Sequence, residues 1–580
     1  MCGIFCHVSH LARVDEGELC YCNIMEQASM IAHRGPDCHT SLTSITYKSP
    51  LIHNVNMHFY RLSIVDKENG SQPFIIKHPS LPYISVLMCN GEIYNYKELI
   101  ETYNLPIQSQ SDCEVIVHLY HKLGMETTIN LLRGEYAFVI VDFNMTKDIH
   151  HTGSNINISS NPIRMYVARD VFGIRPLFYD INTKHIILSS EAKAIKENAK
   201  VYIPGLCMRI RISNQIKYSI VSYTNLYNST IENRITSNNE IKNKFIESVQ
   251  IRTPLDQPVG CLLSGGLDSS LVAGLVQKYL RENNKESLYT FTIGFENATD
   301  IKYAEQVSKH IQSNHTTFIV TPEEALECIP EVVKCTETYD ITSIRASTMQ
   351  YLLIKKIHEK YPYIKVFLCG EGSDELLQGY AYFKKSPSEL DGYNESKRLL
   401  SNIHTFDGLR ADRTLAAFGK ELRLPFLDTE FVKNVLECNI SNLSPLNRLE
   451  KSLIRNLFVN DNVIPIDVLL RPKEAFSDGC SSLSKSWFQY IQEYVHIQIT
   501  DDEYHMLYEE YKFDMIMTHG VQKAELDFQL SMCTKERLYY WKLFKYHNYP
   551  SSLIPYYWLP KWNGNVTDPS ARVLSVYTAS

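Results

Sequence analysis

Short apolar runs bounded by turn formers dominate the first 212 residues. The run Phe138 to Phe143 (FVIVDF), MYVARD from Met165 and HIILSS from His185 have the length and flanks of strands, and predict a sheet-dominated half. Within it, residues 150–163 (HHTGSNINISSNPI) are polar and carry no period that could bury a face, so a surface loop insertion is expected there. From Ser213 to Ile235 the pattern fades into polar, Asn-rich sequence, and beyond it strand and helix signals alternate. The expected organisation is a domain over 1–212, a linker over 213–235 and a second domain over 236–580.

In the second domain, Pro258 to Leu263 reads as a short apolar strand and SGG as a turn. Leu271, Val272, Leu275, Val276, Tyr279 and Leu280 then recur with helical spacing. The strand LYTFTIGF follows, then a helix through Ala304, Val307 and Ile311, then the strand HTTFIV. Thr321-Pro322-Glu323-Glu324 is a capping box with proline at the first helical position. A further strand, Lys365 to Leu368, ends at CGEGSDE. Strands alternating with helices predict a doubly wound parallel sheet, in which ligands bind beyond the carboxyl ends of the strands. Both Gly-rich turns fall at such ends.

Composition narrows the function. A chain of 580 residues exceeds what one core organises, and 44% apolar, 21% charged and 11% aromatic residues describe a globular protein. A net charge of −7 lacks the basic excess that nucleic acid demands. No apolar run approaches the roughly 20 residues that span a bilayer. Met1 leads straight into CGIFCHVSH without a signal-like segment, which predicts a cytosolic protein. Fifteen cysteines, an odd number with no C-x-x-C pair, fit reduced thiols better than disulfides or structural zinc.

The turn SGGLDSS, Ser264 to Ser270, places small residues between strand and helix, where backbone N–H groups can close around an anion. An ordinary tight turn would satisfy Gly265 and Gly266 equally well. The carboxylate of Asp268 and the hydroxyls of Ser264 and Ser269 favour pyrophosphate with Mg²⁺. Walker A is absent and GEGSDE lacks the third glycine of a dinucleotide fingerprint. SGGLDSS resembles the loop of the ATP-pyrophosphatase group, whose members split ATP between the α and β phosphates. That resemblance places Leu263, Ile293, Cys369 and Gly370 near the nucleotide, positions that sheet core alone would also fill.

A lone Cys is more often a buried hydrophobe than a nucleophile. Cys2 differs because removal of Met1 would set a free α-amine beside its thiol, a base within the same residue. MCGIF, HRGPD (His33 to Asp37), RLSIV from Arg61 and NGEIYN from Asn90 together resemble the class II glutamine amidotransferases, which have an N-terminal-nucleophile αββα sandwich. The resemblance implies an oxyanion hole from Asn90 and Gly91, and a glutamine site over Arg61, Leu62, Ser63, Ile64 and Val65. Glu92 and Asp112 would hold the α-amine. A hairpin turn at Asn90-Gly91 and solvated charges elsewhere explain each residue singly, but not all of them together.

The two halves joined resemble the glutamine-hydrolysing asparagine synthetases of animal type. The likeness runs on through ETYDITSIRAS, GEGSDE, LRADRTLAAFGKELRLPFLD, RPKEAFSDG, WLPKW and DPSARVL. It implies L-glutamine, L-aspartate and ATP as substrates and Mg²⁺ at Asp268, and leaves a homodimer open. Thr342 and Arg345 would grip aspartate, Glu371 would act as base, and Lys473 would neutralise phosphate charge or stand as a solvated cation. Lys451 and Arg455, at i and i+4, read equally as pyrophosphate contacts or a solvated basic face. Cys369 departs from the serine often seen there. A β-lactam synthetase-like ligase and an inactive scaffold are the alternatives.

Overall fold

The computed structural model describes residues 1–11, 23–48, 51–66, 68–146, 148–213, 215–224, 226–227, 236–474, 479–481, 485–525, 533–562 and 568–569. Its contacts divide the chain into two units, Met1–Asn225 and Leu226–Ser580. Parts of three sequence expectations lie outside the described residues: 228–235 of the linker, 475–478 of RPKEAFSDG and 570–574 of DPSARVL.

In the first unit, alternation along the strands sorts side chains onto two faces. From strand Gly3–Leu11, Ile4, Cys6 and Val8 point into a core shared with Val86, Met88, Val139 and Val167 of a second sheet. Phe5 points the other way, onto Ile24, Ala28 and Ile31. The second sheet covers its outer face with the helices Tyr96–Tyr103 and Val115–Leu123, through Leu99, Ile116 and Leu119. Among the described residues, eight strands in one sheet and six in the other therefore lie between helices, an αββα sandwich. The run FVIVDF is continuously apolar because its strand, Gly134–Asn144, is covered on both faces: Val139 and Val141 enter one core, Phe138 and Ile140 the other.

Two expectations need correction. Residues 150–163 are not an irregular loop: Ile149–Thr152 and Asn155–Ile158 form a hairpin, and the latter runs parallel to Cys38–Lys48. Only Ile158 is fully buried along that hairpin, so polar side chains conceal the strands. The fading pattern after Ser213 likewise hides a strand, Ile216–Ser222, paired with Leu206–Ile212 and exposed beyond Ile216.

The second unit holds five parallel strands in the order Asn314–Ile319, Tyr289–Gly294, Val259–Leu262, Val366–Leu368, Glu421–Arg423. The earliest strand is central and the chain winds outward in both directions, so the order reverses between Val259–Leu262 and Val366–Leu368. A crevice opens beyond the carboxyl ends at such a switch point. Leu267–Glu282 is the predicted helix after the SGG turn, and Thr321 caps Pro322–Glu327 with the expected box. Among the described residues no helix is long and apolar enough to cross a membrane.

Phe245, fully buried on helix Asn238–Arg252, meets Phe426 at 4.5 Å, Phe431 at 5.0 Å and Phe458 at 6.0 Å between ring centroids. Phe245→Ala should cost the second unit about 3–5 kcal/mol, read by urea unfolding. An unchanged midpoint would show that this cluster does not hold the unit together.

Candidate functional site

Two sites emerge, one in each unit. In the first, Cys2 precedes strand Gly3–Leu11, whose Gly3 lies opposite Tyr60, one residue before Arg61. The Cys2 thiol lies 3.8 Å from the Leu62 carbonyl. Arg34 of the HRGPD motif fixes this segment: its Nε donates to the Cys2 carbonyl at 3.1 Å, and its Nη1 pairs with Glu191 at 2.8 Å, fully buried. Asp37 accepts from the Ser63 amide at 2.6 Å, and Arg61 donates to the Val65 carbonyl, the Asp66 carbonyl and the Ser71 hydroxyl. The segment Leu62 to Val65 is thus wrapped around the Arg61 guanidinium.

Asn90 and Gly91 lie mid-strand on Tyr83–Ile93, opposite Ala137 and Tyr136, so the hairpin-turn reading is excluded. The Asn90 side chain is fully buried, and among the described residues neither its amide nitrogen nor its oxygen has a hydrogen-bond partner. Unsatisfied buried amides are rare and call for an explanation. Gly91 has φ 154°, and a Cβ there would sit 2.1 Å from the Glu135 carbonyl oxygen, so only glycine lets the strands close. Asp112 is buried and accepts from the Ile93 amide at 2.6 Å, and Glu92 is buried on the strand Tyr83–Ile93.

In the second unit a cavity of about 250 Å³ occupies the switch point, lined by the sequence-predicted Leu263, Ile293, Cys369, Gly370, Thr342 and Arg345 among others. Gly265, at φ 74°, packs where a Cβ would meet the Ala304 nitrogen at 2.5 Å. The Ser264 and Ser269 hydroxyls lie 3.0 Å apart, and Gly266 N–H donates to Ser264 Oγ at 3.3 Å. Asp268 sits in the first turn of helix Leu267–Glu282, where it accepts from Ser373 at 2.7 Å and pairs with Lys451 at 2.5 Å. Lys451 also reaches Asp374 at 2.5 Å, and Lys473 meets Asp374 at 2.6 Å. Burial opposes ionisation of Asp374, but these two ammonium groups override it and hold its carboxyl well below the usual range. Arg471 donates to the Gly265 carbonyl at 3.1 Å and stacks on Tyr303, bracing the SGG turn from behind.

Glu371 faces the same cavity and pairs with Arg410 at 2.8 Å. Burial raises its pKa, while the Arg410 guanidinium works in the opposite direction. The Thr342 hydroxyl is buried with no hydrogen-bond partner among the described residues. Arg345 is instead fully engaged, with Glu536 on one side and Asp568 on the other.

The solvated-face reading of Lys451 and Arg455 is wrong: they are 2% and 3% exposed and both line the cavity. Lys451 is not on the helix Ser452–Phe458 but caps it at φ 57°, a left-handed conformation that swings its side chain into the crevice. Sequence reasoning also missed Arg410, Asp374 and Arg471 as site residues. All three stand inside quoted motifs, LRADRTLAAFGKELRLPFLD, GEGSDE and RPKEAFSDG, but their partners lie tens to hundreds of residues away.

Residues 59–197 match a family model described as a glutamine amidotransferase domain, and residues 240–401 and 393–541 match one described as asparagine synthase. The chain is 38% identical over 584 residues to the asparagine synthetase [glutamine-hydrolyzing] of Gallus gallus, covering 95% of this chain and 96% of that protein. It is 37% identical over 582 residues to the enzyme of the same name from Homo sapiens, with the same coverage.

Gly91→Ala should destabilise the first unit by about 3 kcal/mol, because the Glu135 carbonyl belongs to a central strand and has little room to retreat. Chemical denaturation followed by far-UV circular dichroism reads this directly. A wild-type midpoint would mean the strands separate freely at Gly91.

Proposed function

Since this chain belongs to the glutamine-hydrolysing asparagine synthetase family, a carbon-nitrogen ligase family, we propose that its two sites divide the reaction as follows. The observation that carries the reading is the meeting of the SGGLDSS and GEGSDE turns at Lys451, beyond the carboxyl ends of adjacent parallel strands. Neither alternative, a β-lactam synthetase-like ligase or an inactive scaffold, is favoured by relatives that match nearly end to end.

At the first site the Cys2 thiolate attacks the side-chain amide carbon of glutamine. Asn90 Nδ2 and the Gly91 N–H receive the oxyanion, ammonia leaves, and water then cleaves the glutamyl thioester. The base is the Cys2 α-amine, which exists only after Met1 is removed. Arg61 holds the substrate α-carboxylate, and Glu92 and Asp112 hold its ammonium group. Leu62 to Val65 line the site.

At the second site an oxygen of the aspartate β-carboxylate attacks the α-phosphorus of ATP, and pyrophosphate leaves. The backbone N–H groups of Gly265 and Gly266, the hydroxyls of Ser264 and Ser269, and the ammonium of Lys473 receive the departing charge. Leu263, Ile293, Cys369 and Gly370 contact the adenosine. Asp268 and Asp374 are 14% and 16% exposed at the cavity, and two carboxylates completed by phosphate oxygens suit Mg²⁺. When bound, that ion would neutralise charge on the pyrophosphate. Ammonia then attacks the acyl-adenylate carbon and AMP leaves, with Glu371 taking the surplus proton. Every described cysteine is a free thiol, which agrees with a reducing, cytosolic setting.

Cys2→Ala should abolish asparagine formation from glutamine and keep it from ammonium salts, since the thiol serves only to detach nitrogen. Loss of the ammonia-dependent reaction in a folded variant would contradict this division of labour.

A second test uses pH. Glu371 must be ionised to accept a proton, and burial raises its pKa, so ammonia-dependent synthesis falls as pH drops through a value above the ordinary carboxylate range. Arg410 opposes that shift, so Arg410→Gln should move the acid limb to still higher pH, and Glu371→Gln should cost about 10²–10⁴-fold in kcat. An acid limb unmoved by Arg410→Gln would remove Glu371 from the role of base.

A further inference from the structure

Strand Ile216–Ser222 ends the six-stranded sheet of the first unit and pairs on one side, with Leu206–Ile212. Its other side is a sheet edge among the described residues. Such edges present a row of backbone donors and acceptors and are ordinarily blunted by charge, proline or a covering element. Here a single lysine, Lys217, stands beside large apolar groups: Tyr218, Ile220 and Val221 are 52%, 45% and 54% exposed.

The register gives the two faces of this edge different chemistry. Side chains directly opposite each other on paired strands share a face. Lys217 lies opposite Arg211, and Arg209 is two residues from Arg211 on the same strand, so three exposed cations gather on one face. Tyr218 lies opposite Ile210 and Ile220 opposite Met208, both members of the core between the two sheets, so on the other face the apolar surface continues out to the edge. Like charges directly opposed destabilise a strand pair, and Arg211 and Lys217 are so placed. None of the three cations makes an ion pair among the described residues.

We propose that this edge docks an extended acidic segment of another protein, which adds to the sheet as a further strand. Successive side chains of an added strand point to opposite faces, so its carboxylates at every second position meet Lys217 and Arg211 while its apolar alternates pack on Tyr218 and Ile220. A carboxylate beside Lys217 also relieves the repulsion from Arg211. Charge decides against a second copy of this chain as the occupant, because antiparallel pairing of two such strands would bring another set of the same cations to the same face.

The probe is a blocked synthetic peptide alternating glutamate and valine, titrated into the full chain and followed by fluorescence anisotropy, with a peptide alternating lysine and valine as control. The glutamate peptide should bind and the lysine peptide should not. Charge reversal in the double variant Lys217→Glu, Arg211→Glu should weaken binding about tenfold, and Ile220→Glu should weaken it to a similar degree although every cation is kept. These side chains are exposed, so the variants should form asparagine from glutamine and from ammonium as the wild type does, which reports an intact fold. Hydrogen exchange on the wild type, which needs no variant, should show the peptide protecting backbone amides within 217–222. Binding without that protection would be mere adhesion of an anion to a basic surface and overturns the proposal, as does equal binding of both peptides or binding of neither. Dimerisation of the chain alone that Ile220→Glu abolishes would assign the edge to a second copy, and overturns it too.

Discussion

The Lys451 ammonium lies 2.5 Å from Asp268 and 2.5 Å from Asp374, almost wholly out of solvent, and the architecture of the nucleotide crevice depends on that bridge. Asp268 belongs to the turn after strand Val259–Leu262 and Asp374 to the turn after strand Val366–Leu368. The parallel pairing of those strands brings the turns near each other, but it does not fix their loops. One buried cation shared by both carboxylates does, because removing either partner would leave an uncompensated buried charge, at about 3–5 kcal/mol. Lys473 extends the array from Asp374 and lines the same cavity. The two carboxylates and two ammonium groups of the crevice therefore balance one another.

The amidotransferase site uses the same device with different groups. Arg34, buried and paired with Glu191, also donates through Nε to the Cys2 carbonyl, which ties down the segment before strand Gly3–Leu11. The buried Asn90 amide on the facing sheet, without a hydrogen-bond partner among the described residues, is the complement. Each site thus combines one over-determined ion pair with one group left in want of a partner, Asn90 in the first unit and the Thr342 hydroxyl in the second.

Much of this was legible in the sequence because it is local. Strand runs such as FVIVDF and the turn between Val259–Leu262 and Leu267–Glu282 depend on neighbours a few residues apart, and they appear where periodicity places them. The hairpin around residues 149–158 was not legible because its exposed polar side chains carry no apolar alternation, and the strand Ile216–Ser222 was not because Tyr218, Ile220 and Val221 face solvent and its neighbours in sequence are polar. The site residues divide in the same way. Cys2, Asp268 and Glu371 announce themselves by motif, whereas Lys451 reads equally as a phosphate contact or a solvated cation, because both its partners are remote in sequence and its left-handed backbone breaks the helical spacing used to judge it. The double engagement of Arg345 by Glu536 and Asp568 had no sequence signal at all.

The central claim is that the crevice transfers the adenylyl group of ATP to a carboxylate. The most direct measurement supplies aspartate labelled with ¹⁸O in its β-carboxylate, together with ATP and ammonium, and locates the label by mass spectrometry. Attack of the carboxylate on the α-phosphorus followed by displacement by ammonia must leave one labelled oxygen in AMP, with none in pyrophosphate. Label in orthophosphate accompanied by ADP would show attack on the terminal phosphorus, and would contradict the assignment of the SGGLDSS turn as a pyrophosphate cradle.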